Sequence, residues 1–185
     1  MKDVWDCIVQ NERGDRFPLR EKLPSKCSVV VFLRQGECIE CSIMIHELQK
    51  LYGPLKAWDV PLVFVANGTF DTMKRLRDRL ALSDSAPLFT DPSLEIYQKL
   101  GLHSGYGRSF GPMGMWTIIK GFYDGFSQTR LGTNLPQQSG VVLLDPQRNV
   151  LWIHRSEYLG DIPAAGSILE QVLRYQTNRT SPSTI

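Results

Sequence analysis

Val29-Val30-Val31-Phe32-Leu33-Arg34-Gln35-Gly36-Glu37-Cys38-Ile39-Glu40-Cys41 is the stretch on which the reading of this chain turns. Its first five residues are apolar and mostly β-branched. The run is too short for a helix, so it predicts a strand covered on both faces. A short loop, 34–37, leads to two cysteines three residues apart, and beyond them the period becomes helical. Cys41, Ile45, Leu48 and Tyr52 are spaced four, three and four apart, as are Met44, Leu48, Leu51 and Leu55. Together they predict one broad apolar face, with Gly53-Pro54 bending or interrupting the helix.

A buried strand, a short loop and Cys-x-x-Cys opening a helix is the setting that gives this motif chemical meaning. At a helix N-terminus Cys38 would face unpaired backbone N–H groups and the positive end of the macrodipole. Both favour a thiolate, and a thiol of pKa about 8.5 can fall by one to several units there. Cys41 lies one turn further in, on the apolar stripe, and should be more sheltered. The asymmetry suits an exposed attacking thiol and a buried resolving one. Residues three apart on a helix have Cβ atoms about 5–6 Å apart, whereas a disulfide needs about 3.5–4.5 Å. Only the pliable first turn closes that gap. Arg34 would favour a thiolate; Glu37 and Glu40 would oppose it.

Outward from this segment the pattern alternates. Val4–Gln10 and 16–19, joined by the turn 11–15, predict an N-terminal β-hairpin. Residues 61–65 predict a second buried strand, and Phe70, Met73, Leu76 and Leu80 an amphipathic helix. A short strand at 87–90 precedes Asp91-Pro92-Ser93, which predicts an N-cap and a helix running to about Leu100. Val141–Leu144 and Val150–Ile153 form a last hairpin, and Ile162, Ala165, Ile168, Leu169, Val172 and Leu173 mark a final helix. The strands at 29–33, 61–65 and 141–144 should be innermost. This order predicts one α/β domain over 1–176, with a mixed sheet flanked by helices, and a polar, frayed tail over 177–185.

Between Leu102 and Gly140 the sequence is rich in glycine and aromatic residues. A structureless loop of 37 residues, 103–139, would be anomalous in a compact domain. A short helix near 116–126 is expected, with Trp116, Ile119 and Phe122 packing near Cys38 as an apolar pocket. The alternative is that they enlarge the core or form a homodimer contact.

Other functions find little support. A net charge of +2 over 185 residues is too small to imply nucleic acid or an anionic membrane. The cluster Lys74, Arg75, Arg77 and Arg79 is broken by Asp78 and reads as a solvated helix face. No apolar run approaches the ~20 residues of a membrane span, and the N-terminus lacks the apolar core of a signal peptide, so a cytoplasmic location is expected. Four cysteines are too few for a secreted disulfide scaffold. No second Cys-x-x-Cys or His pair completes a zinc site, and Cys7, Cys27, His46, His103 and His154 have no partners at ligand spacing. Neither a metal nor an organic cofactor is expected.

The segments Val29–Cys41 and Gly140–Leu173, the latter with its Gly-apolar-Asp-Pro strand and "HRSEYLGD" stretch, resemble the peroxiredoxin-like branch of the AhpC/TSA proteins in the thioredoxin superfamily. The resemblance implies a thioredoxin-like fold, Cys38 as nucleophile, Cys41 as its partner and Arg34 as the arginine of the strand-to-motif loop. It implies a peroxide, endoperoxide or disulfide as substrate, and an external dithiol such as thioredoxin or glutathione as reductant. Gln137-Gln138-Ser139-Gly140 is similar to the family's entry to the late hairpin. Gln138 or Ser139 takes the place where many peroxiredoxins carry a second arginine, and Gln138 joins the expected pocket. Gln35 stands where a Thr or Ser is usual. The expected function is a thiol-dependent oxidoreductase. The alternative is a non-catalytic binding module using the aromatic segment 103–139.

Overall fold

The structure, a computed structural model, describes residues 3–34, 39–82, 86–105, 111–123 and 137–180. The run Val29–Leu33 is indeed a strand, β3 (Ser28–Leu33), and every residue of it is buried. Its side chains alternate between two cores. Val29, Val31 and Leu33 join one cluster, and Val30 and Phe32 join the other. That two-sided burial is why the sequence is apolar throughout and does not alternate.

β3 pairs in parallel with β4 (Leu62–Ala66), and β4 in parallel with β5 (Leu88–Thr90). β6 (Gly140–Leu144) runs antiparallel on the other side of β3, followed by the edge strand β7 (Val150–Arg155). The N-terminal hairpin of β1 (Ile8–Gln10) and β2 (Arg16–Pro18) closes the opposite edge through β5. The mixed sheet has seven strands in the order β2-β1-β5-β4-β3-β6-β7. β3 and β4 are central as expected. The short β5 is interior too, while β6 lies one strand from the edge.

Helices α1 (Ile39–Gln49), α2 (Tyr52–Ala57) and α3 (Met73–Leu80), with the last helix, α6 (Ala165–Thr180), fill one face around Met44, Leu48, Leu55, Leu76 and Ile168. The other face is covered by α4 (Glu95–Lys99) and two 3-10 turns, Val4–Asp6 and Leu19–Glu21, around Trp5, Leu19, Ile96 and Tyr97. Helix α5 (Pro112–Tyr123) packs on α1. The sheet thus divides the core in two.

Several boundaries move for local reasons. The helical break falls at Lys50–Leu51, not at Gly53-Pro54, because proline is tolerated only in a first turn, and Pro54 sits in the first turn of α2. Val4–Asp6 is a 3-10 turn, not extended: the Asp3 side chain accepts from Trp5 N–H. α4 begins at Glu95, not at Pro92. The Asp91 carboxylate does cap it, accepting from Ile96 N–H at 2.9 Å, but also folds an Asx turn onto Ser93 N–H, and Leu94 enters at φ +59°. The helix of the aromatic segment starts four residues earlier than expected. Helix α6 begins after Ile162 and continues through Thr180, beyond the position where fraying was expected.

Candidate active site

The carboxyl ends of the three parallel strands define one pole of the molecule, and in open α/β sheets this is where chemistry gathers. β3 ends at Leu33 and hands over directly to Arg34. The next described residue is Ile39, the first of α1. Gln35, Gly36, Glu37 and Cys38 lie outside the described residues. Cys41 is the third residue of α1, within its first turn, and its side chain also falls outside the description. The backbone therefore carries the elements flanking the motif as a strand and a helix.

Arg34 is 3% exposed, an unusual position for a guanidinium. Its Nε donates to the Gln137 carbonyl at 2.9 Å, across 103 positions of sequence. Gln137 is itself buried and held. Its Nε2 donates to the carbonyls of His103 and Gln138, each at 3.1 Å, while Gln138 N–H donates to His103 O at 2.9 Å. A bridge between Ser104 and Gln137 closes the same junction. Next along the chain, the Ser139 and Ser156 hydroxyls lie 2.8 Å apart, fully buried. Arg34 is thus fixed by a hydrogen-bonded seam between the segment after α4 and the entry to β6. Gln138 is fully buried in that seam.

Behind Arg34 the strand ends are tied by one side chain. The Tyr97 hydroxyl, from α4, lies 2.7 Å from Leu33 O and 3.0 Å from Val65 O, sharing its proton between β3 and β4. Its ring meets Phe32 edge-on at 5.4 Å. At the end of β5, Thr90 Oγ1 donates to Gly68 O at 2.6 Å and to Ala66 O at 3.1 Å. Asp91 follows, fully buried. Burial pushes its carboxyl above the ordinary value, against the lowering effect of hydrogen bonds from Ser93, Ile96 and Leu94. Neither Tyr97 nor Asp91 stands out in the sequence as part of this pole. Only the Gln137-Gln138 doublet carried a signal.

Helix α5, which packs on α1, brings Trp116 and Ile119 to the surface, 63% and 45% exposed. The Phe122 side chain lies outside the description. Two shallow grooves, of about 560 and 780 Å³, lie at the opposite pole, around Tyr52, Leu62 and Pro87 and around Lys26, Trp58 and Tyr175. Burial pushes the Tyr52 phenol up to about 12. These grooves are remote from Arg34 along the strands and hold none of the motif. Cys7 and Cys27 are buried and in no disulfide, and burial raises the Cys7 pKa. His154 on β7 is paired with Asp161 at 3.3 Å and stacked on Trp152. No group of three or more potential metal ligands converges among the described residues.

The profile of the AhpC/TSA antioxidant enzymes matches residues 41–158. The chain belongs to that family. The matched span begins at Cys41, so Arg34 and Cys38 precede it. Among similar proteins, human peroxiredoxin-like 2C is 26% identical over 195 residues, covering 98% of this chain and 84% of its own. The chloroplastic thioredoxin-like protein AAED1 of Arabidopsis thaliana is 23% identical over 178 residues, covering 91% and 71%. The fold agrees with that of Xanthomonas campestris bacterioferritin comigratory protein, with a TM-score of 0.62 over 95% of this chain and 93% of the other at 12% identity. Peroxidoxin BcpB of Mycobacterium tuberculosis gives 0.62 at 15% identity, over 91% and 92%. In this AhpC/TSA chain the β3–α1 connection therefore has a thioredoxin-like frame around it. Among the described residues no helix is long and apolar enough to cross a membrane.

Proposed function

We propose that the chain is a thiol-dependent oxidoreductase in which Cys38 attacks, Cys41 resolves and Arg34 favours the thiolate. The observation that carries the reading is the placement of Arg34. A buried guanidinium, anchored through Nε to Gln137 O, stands at the strand end four residues before Cys38, and the helix bearing Cys41 begins at Ile39. A fixed cation and a helix N-terminus act in the same direction on a thiol, towards ionisation.

With a hydroperoxide, the Cys38 thiolate attacks one oxygen and the O–O bond breaks. The other oxygen leaves as an alkoxide that takes a proton to become the alcohol, and Cys38 becomes a sulfenic acid. The Cys41 thiol then attacks that sulfur, an S–S bond forms, and water leaves. An external dithiol, thioredoxin or two molecules of glutathione, supplies two electrons and two protons to restore the pair. With a disulfide substrate the first step yields a mixed disulfide, which Cys41 resolves in the same way. Gln138, from the buried seam, and Phe122, from α5, are the proposed substrate-side residues, whereas Trp116 and Ile119 face solvent. A reducing compartment such as the cytosol suits a pair that must be recycled; the Arabidopsis relative is named a chloroplastic protein.

The test separates the two cysteines. Cys38→Ser should abolish turnover. Cys41→Ser should react once and then stop as a sulfenic acid or trapped mixed disulfide. The unaltered chain should form one internal bridge on mild oxidation, seen by mass spectrometry as the loss of two hydrogens. Two thiols of ordinary reactivity that form no bridge would overturn the reading in favour of a binding module.

A further inference from the structure

Helix α5 presents a surface that nothing in the thiol chemistry requires. At 100° per residue, Pro112, Met115, Trp116, Ile119, Lys120 and Tyr123 fall on one arc of about 140°, and all six are exposed. Trp116 is 63% exposed, Tyr123 88%, and Met115 and Ile119 45% each. Large side chains exposed together on one helix face mark an interaction site, whereas scattered ones need no explanation.

Composition and size select among occupants. With aromatic side chains contributing about 150–250 Å² each, the four apolar residues offer roughly 500 Å². A stable dimer needs about 800 Å² per partner, so this face alone falls short of one. A bilayer needs no matching protein surface, and tryptophan and tyrosine beside a lysine are the residues that sit at its headgroup level. The charges agree. The sequence of α5 contains no carboxylate side chain and one cation, Lys120. Lys120 lies on the exposed arc itself.

We propose that the exposed face of α5 docks on an anionic lipid surface. Trp116 and Tyr123 lie among the headgroups, Met115 and Ile119 reach the acyl boundary, and Lys120 meets lipid phosphates. The proposal is independent of the thiol reading, but it has a consequence for it: α5 packs on α1, so the helix carrying Cys41 lies one helix spacing, about 8–10 Å, from the docked one.

The experiment is flotation of the full chain with vesicles of phosphatidylcholine, alone or with about a third phosphatidylserine, at low and physiological ionic strength. The chain should float with the anionic vesicles and bind them about fivefold more tightly than the neutral ones, more so at low salt. Trp116→Ala/Tyr123→Ala should weaken binding by about tenfold or more, and Lys120→Glu should remove the preference for anionic lipid, each without lowering the melting temperature. Flotation with neither vesicle, equal binding to both, or unchanged binding by the double variant would each overturn the proposal. So would a dimer in sedimentation equilibrium that the double variant abolishes while no vesicle binding is seen, which would assign the face to a second copy.

Discussion

Adding one methyl group at Gly140 should test how tightly the seam behind Arg34 is built. A Cβ there would meet Leu102 Cδ2 at 2.6 Å and the His154 carbonyl at 3.0 Å, where ordinary contacts lie at 3.4–4 Å. Leu102 is itself 5% exposed and packed in the second core, so it has little room to swing away. The carbonyl belongs to the backbone of β7 and cannot rotate. About 0.8 Å must be found at Leu102 alone, and overpacking on this scale costs about 1–3 kcal/mol. Gly140→Ala should therefore lower the urea midpoint at unchanged m-value. At about 2–4 °C per kcal/mol, a 2 kcal/mol loss lowers the melting temperature by roughly 4–8 °C. A double-mutant cycle identifies the cause. Leu102→Ala alone should cost about 2–5 kcal/mol. In its presence the added methyl enters the vacated space, so the double variant should be more stable than the sum by about 1–2 kcal/mol. Additivity within about 0.5 kcal/mol would refute the argument, because it would mean that Gly140 and Leu102 do not share that space.

Two further outcomes follow from the same pole. Tyr97→Phe removes one hydroxyl proton shared by Leu33 O and Val65 O and keeps the edge-on contact with Phe32. It should cost about 1–3 kcal/mol in chemical denaturation, and a value near zero would show that the two strand ends need no such tie. For Asp91, burial raises the folded pKa above the ordinary 3.8, so the folded state binds the proton more tightly than the unfolded one. Its contribution is fully present below that ordinary value and is lost as pH rises through the folded value. Asp91→Asn should flatten the stability–pH profile just above pH 3.8; an unchanged slope there would place the dependence elsewhere.

The elements that read well from sequence are those whose pattern is local. The runs at 29–33, 62–65 and 141–144 are apolar at every position because helices or turns cover both faces of those strands, and the chain records that directly. The strand and the helix that flank the cysteine pair were legible for the same reason, since the apolar run and the helical period lie within about thirty consecutive residues. Helix ends read less well. Asp91, Pro92 and Ser93 spell a helix start, yet the carboxylate spends one oxygen on an Asx turn first and the helix begins at Glu95. Gly53-Pro54 announces a break, but the backbone makes it earlier so that the proline falls in a new first turn.

Sequence by itself determined the alternation of strand and helix, the family resemblance and the motif in which chemistry is sought. Only the tertiary structure decided what holds that motif's frame. Arg34 finds its acceptor 103 positions away on Gln137, Tyr97 reaches Leu33 across 64 positions, and Gly140 is required by a leucine and a carbonyl from two other segments. It also turned Trp116 and Tyr123 outward. Hydrophobic period and capping chemistry are written along the chain, within a few residues of where they act. A buried guanidinium's partner or a helix's orientation depends on which distant segments the sheet order brings together.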